Sequence, residues 1–200
     1  MSSNKNPINK GTGAGGAKTN YNGLSFEEKT SIEPKLSEYK YVIKEIKIKK
    51  RKGIYYEYKE DDLNIIYFKK NSFKLYFEKE FNIITYKQPD EAYLIKKNNE
   101  YILKILEKKN QNVEGSVEDK LKTGAFNRKE YELMINNDKF KIVYCFCVSK
   151  FLQEKLESDN IKYKNIKTIM DDDKVGLLYG DNDDYQDKLC EWIKDININN

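Results

Sequence analysis

QPDEAYLIKKNNEYILKILEKKNQ, running from Gln88 to Gln111, reads as a β-hairpin. Two apolar-rich runs, Glu91 to Ile95 and Tyr101 to Leu106, flank the polar tip Lys96-Lys97-Asn98-Asn99. With Asn98 and Asn99 as the two turn residues, Lys97 lies opposite Glu100, and counting down both strands brings Asp90 opposite Glu107. A longer loop around the same tip would shift that pairing by one residue. Directly opposed residues of antiparallel strands hold their Cβ atoms roughly 4.5 to 5.5 Å apart, close enough for two carboxylates to share one hard cation. Side chains alternate along a strand, so Lys109 shares the face of Glu107 while Lys108 points away.

Composition bounds what can surround this hairpin. The chain has 200 residues, 38% of them hydrophobic and 16 of them tyrosine, enough to build the core of one domain. No run approaches the length of a membrane span and no apolar signal core opens the chain, so the expected setting is cytoplasmic, with no membrane partner. Three cysteines, Cys145, Cys147 and Cys190, read as core thiols of a reducing compartment. Histidine is absent and no CxxC pair occurs, which removes any histidine general base and leaves zinc without its usual ligands. Net charge is +4, unevenly spread. Lys44 to Lys59 holds Lys44, Lys47, Lys49, Lys50, Arg51, Lys52 and Lys59 against Glu45 and Glu57, whereas Asp171 to Glu191 is acidic. Such a basic stripe can track a phosphate backbone or simply shield an edge hairpin from aggregation.

Residues 1–22, rich in Gly, Asn, Ser and Thr, read as a flexible arm, and residues 23–200 as a single domain. Within the arm, GTGAGGAKT spaces Gly11 and Gly16 like a phosphate loop, but Ala17 precedes Lys18 and no strand leads in, so that motif is set aside. Its backbone amides still suit phosphate, with Lys18, Asn20 and Asn22 as candidate nucleic-acid contacts. Gly23 to about Glu38 predicts a short helix with Glu27 near its amino end. Residues 41–87 predict an antiparallel meander of four or five strands: YVIKEIKIK, GIYYEYK, LNIIYFKK, SFKLYFEK and FNIITYK. Ser116 is a plausible cap for a helix ending near Gly124. Beyond it, Glu130 to Ile135 and Lys139 to Val148 predict strands, and Ser149 to Ser158 a helix. Ile161 to Ile169 and Val175 to Tyr179 predict further strands, and Asp184 to Ile193 a closing helix. This order gives an α/β (α+β) domain, a central mixed β-sheet flanked by helices.

Phosphodiester hydrolysis needs a deprotonated water near the phosphorus and compensation for oxygens that gain negative charge. A divalent ion held by Asp90, Glu107 and the backbone carbonyl of Lys108 would supply both. Lys109, on the carboxylate face, would orient the attacking water or stabilise the pentavalent oxygens. Pro89-Asp90 followed by Glu107-Lys108-Lys109 resembles the PD-(D/E)xK nuclease superfamily and, within it, the type II restriction endonucleases. The resemblance spans roughly residues 11–30 and 88–125, and the Gly/Asn-rich opening is similar to that of some restriction enzymes. It implies a restriction-endonuclease-like sheet, Asp90 and Glu107 as Mg2+ ligands, and Lys109 as the catalytic lysine. Glu27, in GLSFEE, resembles the additional acidic residue of many members, and Gln111 the glutamine that several branches place close to the site. Residues 41–87 then stand as a β-rich insertion in which DNA is read, with Lys49, Lys50, Arg51 and Lys52 against a groove or backbone. Lys108, at the middle position of the motif, is expected to be partly exposed or to reach DNA. The implied partner is double-stranded DNA and, for a palindromic target, the expected state is a homodimer. A repair or junction nuclease of the same superfamily, and a non-catalytic nucleic-acid-binding module, are the competing readings.

Overall fold

The computed structural model describes residues 25–60, 63–69, 71–97, 99–112, 115 and 117–197. The arm 1–22, with Lys18, Asn20 and Asn22, and the cap Ser116 lie outside the described residues. Seven described strands form one sheet in sequence order: β1 (Val42–Ile48), β2 (Arg51–Glu60), β3 (Leu63–Lys69), β4 (Glu91–Lys97), β5 (Glu100–Lys109), β6 (Phe140–Val148) and β7 (Val175–Tyr179). Neighbours from β1 to β5 are antiparallel, while β5 with β6 and β6 with β7 are parallel. Parallel neighbours cannot be joined by a tight turn. Helices make these crossovers: α3 (Val117–Leu121) and α4 (Gly124–Ile135) before β6, then α5 (Lys150–Leu156) and α6 (Ile161–Asp172) before β7. The remaining helices are α1 (residues 25–29), α2 (Ser72–Phe81) between β3 and β4, and α7 (Tyr185–Lys194). The expected mixed sheet flanked by helices is therefore present.

Both faces of the central strands are covered, which is why these strands read as near-continuous apolar runs. Leu103 and Ile105 of β5 enter one core with side chains of α2, α4, α5 and α6, while Ile102 and Leu106 enter the other with Phe26 of α1 and Leu189 of α7. Lys104 interrupts the second run, yet it is buried. Its Nζ donates to the carbonyls of Trp192 and, at 2.6 Å, Asp195, which lie at the carboxyl end of α7 where helix carbonyls lack internal partners. Burial pushes the Lys104 ammonium down to about 8.

Three segments expected as strands are helices. SFKLYFEKEF forms α2 because Phe73, Phe77 and Phe81 recur every four residues, their rings tilted against one another with centroids 4.5 and 5.4 Å apart, and Phe73 and Phe77 pack on Phe68 of β3. FNIITYK after it is not a strand but an irregular return segment, in which the Ile83 amide donates to Phe77 O. Residues 130–135 belong to α4, burying Tyr131 and Ile135 at helical spacing. Residues 161–169 open α6, whose Asn160 side chain accepts the Lys162 amide at 2.9 Å and whose Tyr163, Ile166 and Met170 form the buried stripe. Strands β1 to β3 continue the same sheet, β3 pairing directly with β4. Among the described residues no helix is long and apolar enough to cross a membrane.

Tyrosines fill much of both cores, and burial raises the hydroxyls of Tyr67, Tyr93, Tyr131, Tyr144 and Tyr185 well above their ordinary value. Each keeps its proton in the folded chain where the unfolded chain has lost it. Their contribution is thus complete below about pH 10 and is lost as pH rises beyond it. An alkaline titration followed by phenolate absorbance and circular dichroism should show a cooperative transition in which buried tyrosines ionise only on unfolding. Gradual ionisation with retained structure would contradict this packing.

Candidate active site

Cross-strand pairing in the hairpin runs from Lys97 opposite Glu100 to Glu91 opposite Leu106, so the next step sets Asp90 against Glu107. This is the register expected from a two-residue tip. Because Ala92, Leu94, Leu103 and Ile105 share the first core, alternation places Asp90, Glu107 and Lys109 on that face too. The Asp90 and Glu107 carboxyls lie within hydrogen-bonding reach of each other. Burial, and then the adjacent Asp90 charge, push the Glu107 carboxyl well above the usual carboxylate range, while Lys109 and Lys87 pull it back. Lys109 Nζ stands 3.6 Å from Glu107 Oε2. The main-chain amide of Lys108 donates to Asp90 Oδ2 at 2.7 Å, fixing that carboxylate in place.

Asp90 and Glu107 lie at the end of the sheet where β5, β6 and β7 all finish, the usual place for ligands in sheets with parallel strands. Glu27 of α1 reaches the same end, its carboxyl raised first by partial burial and then by Asp90. Between α1 and the hairpin lies a cleft of about 630 Å³ whose wall includes Glu27, Tyr67, Lys69, Asp90, Glu91 and Lys108. It meets Asp90 from the α1 side, with Glu107 and Lys109 beyond its wall. Gln111, just past β5, is buried, and its backbone is bracketed by Ser149, whose Oγ accepts from Gln111 N at 3.2 Å and donates to Gln111 O at 2.8 Å.

One expectation changes. Lys108 is neither partly exposed nor free to reach DNA: its ammonium is buried on the second face, 2.8 Å from Glu91 Oε1. The reason is strand parity, which directs it into the second core, where Glu91 on β4 shares its face. The Lys49-Lys50 turn between β1 and β2 sits at the site end, with Lys49 in the left-handed region at φ 54°. Three strand spacings, about 14 Å, separate β2 from β5. Within this group Arg51 is occupied, its Nη2 donating to both carboxylate oxygens of Glu78 at 2.7 and 2.8 Å.

Residues the sequence did not single out complete the first face. Lys87 Nζ donates to Asn127 Oδ1 at 2.8 Å and Glu130 Oε2 at 2.5 Å and lies 5.2 Å from the centre of the Tyr131 ring. It supplies a second ammonium whose field reaches Glu107. The Tyr131 hydroxyl is buried with no hydrogen-bond partner among the described residues. Asn127, Glu130 and Tyr131 share a helix face, a pattern hidden as long as residues 130–135 read as a strand.

Among the described residues no group of three or more His, Cys, Asp or Glu forms a metal cage. The site instead offers two carboxylates and a carbonyl. Amide and carbonyl of one strand residue point the same way, so the carbonyl of Lys108 projects toward Asp90 as its amide does. An all-oxygen set with few protein donors suits Mg2+, which keeps waters and substrate phosphate in its remaining positions. Searches against protein-family models, curated proteins and solved structures return no match to this chain.

Replacing Glu107 by its neutral isostere removes the repulsion at this pair. In chelator, Glu107→Gln should therefore stabilise the protein at neutral pH by about 1–3 kcal/mol. A divalent cation at a hundred times its Kd should stabilise the parent by about 2.7 kcal/mol and leave the variant unmoved. Identical melting of parent and variant under both conditions would contradict the paired-carboxylate geometry.

Proposed function

We propose that this protein is a magnesium-dependent endonuclease that cleaves double-stranded DNA at a short specific sequence, a type II restriction endonuclease of the PD-(D/E)xK kind. The observation that carries the reading is the opposed Asp90 and Glu107 with Lys109 on their face, at an open sheet end. Asp90, Glu107 and the Lys108 carbonyl would hold the ion. Bound there, Mg2+ would acidify a coordinated water and offset charge gathering on the phosphoryl oxygens. The Lys109 ammonium beside Glu107 favours the ionised carboxylate and would present N–H donors to the water and the phosphoryl oxygens. The Lys108 amide holds one Asp90 oxygen so that the other is left for the ion. Glu27, at the flank of Asp90, adds an acidic group on the α1 side.

Lys49, Lys50, Arg51 and Lys52, at the site end but about 14 Å to its side, would follow the DNA backbone away from the cut. One such site serves one strand, so symmetric cutting of a duplex calls for a homodimer. Incubation of plasmid and sequenced genomic DNA with Mg2+ should give discrete fragments, abolished by chelator. Glu107→Ala and Lys109→Ala should each reduce the rate by at least about a hundredfold. Undiminished cleavage by Glu107→Ala would remove the site assignment. Absence of cleavage across many DNAs would remove the nuclease reading, and cutting that follows DNA structure rather than sequence would remove the restriction reading.

A further inference from the structure

We propose that the buried Lys108–Glu91 ion pair is a positioning device that fixes α1, and with it Glu27, against the Asp90–Glu107 edge. The two side chains are 2% and 4% exposed, so both charges are out of solvent. Lys108 Nζ donates to Glu91 Oε1 at 2.8 Å and to the main-chain carbonyl of Glu27 at 2.9 Å. Glu91 Oε2 accepts from the Tyr93 hydroxyl at 2.5 Å, so each carboxylate oxygen has a donor. From the same residue, the backbone amide holds Asp90 Oδ2 at 2.7 Å. Lys108 thus touches the carboxylate edge through its main chain and α1 through its side chain.

The choice of carbonyl has a physical reason. Helix α1 ends after residue 29, with the Thr30 amide bonded to Phe26 O and the Ser31 amide to Glu28 O. Carbonyls of a last turn lack helical donors, and an ammonium at a helix carboxyl end is favoured by the dipole. Other contacts hold the far side of α1. Gly180 lies so close beneath it that a Cβ there would come within 2.7 Å of Phe26 Cζ and 2.6 Å of Thr30 Cγ2, and Tyr185 Oη donates to Thr30 O at 2.8 Å. None of these acts on Glu27 itself, whose side chain must sit beside Asp90. An ion pair buried this deeply is a poor source of stability compared with apolar side chains of similar volume. Its value here lies in geometry. A shift of α1 would carry the Glu27 carboxyl away from Asp90.

The kinetic part of this inference rests on the nuclease reading, whereas the structural part does not. Lys108→Met/Glu91→Leu removes both charges without stranding either. In that double variant the sheet amides should stay protected, while amides of residues 27–30 exchange at least about tenfold faster. On cleavable DNA, kcat should fall about 10- to 100-fold with KM within about twofold, the size expected when a residue that orients a site carboxylate is lost. Adding Glu27→Gln should cost the double variant far less than it costs the parent, because Lys108 acts through Glu27. Unchanged exchange in residues 27–30, or equal Glu27→Gln losses in both backgrounds, overturns the proposal. Should the parent cut no DNA, the nuclease reading fails alone and the exchange result still decides the positioning role. Should the double variant not fold, Lys108→Met/Glu91→Gln, which leaves no buried charge and keeps an acceptor for the Tyr93 hydroxyl, carries the same test: faster exchange in residues 27–30 supports the proposal and unchanged exchange overturns it.

Discussion

Two carboxylates fixed side by side in a partly dry site repel each other, and the repulsion is relieved only by a proton or a cation between them. In this protein the pairing register of β4 and β5 imposes that conflict: Asp90 and Glu107 face each other one step past the last hydrogen-bonded pair, Glu91 with Leu106. The strands cannot slide to escape it. A one-residue slip would turn Leu103 and Ile105 out of one core and Ile102 and Leu106 out of the other. The apolar residues of the hairpin thus hold its acidic end in a state that a proton or a cation would relieve.

Strand parity then distributes three consecutive residues among three tasks. Glu107 and Lys109 share the first face as carboxylate and ammonium, whereas Lys108 enters the second and meets Glu91. Lys104, four residues earlier on that second face, is likewise buried and spends its donors on the carboxyl end of α7. Two lysines inside an apolar strand are tolerated because each finds oxygen acceptors aimed at it. Each also ties a helix, α1 or α7, to the hairpin strand.

Much of this was legible in the sequence. The alternation of Glu91 to Lys109 with a two-asparagine tip was enough for the register, and the mixed sheet followed from the order of elements. The failures share one cause. SFKLYFEK, EYELMI and IKYKNIKTI are short apolar-polar mixtures that satisfy a strand as well as a helix when read alone, and tertiary packing resolves them. Reading residues 130–135 as a strand hid Asn127, Glu130 and Tyr131, and with them the setting of Lys87. The burial of Lys108 has a signal, since Glu91 sits on β4 at the position that shares its face, but a charged residue that begins a strand is far more often solvated than buried. Glu27 was legible as an acidic residue near a helix start, whereas its approach to Asp90 depends on packing of α1 that no local pattern encodes.

A manganese soak of crystals, with anomalous diffraction recorded on the metal, tests the central claim directly. The account predicts an anomalous peak bridging the carboxylates of Asp90 and Glu107, adjacent to the Lys108 carbonyl, with Lys109 beside it and Lys108 Nζ still on Glu91. Anomalous density elsewhere, or none with both carboxylates turned apart, would contradict it.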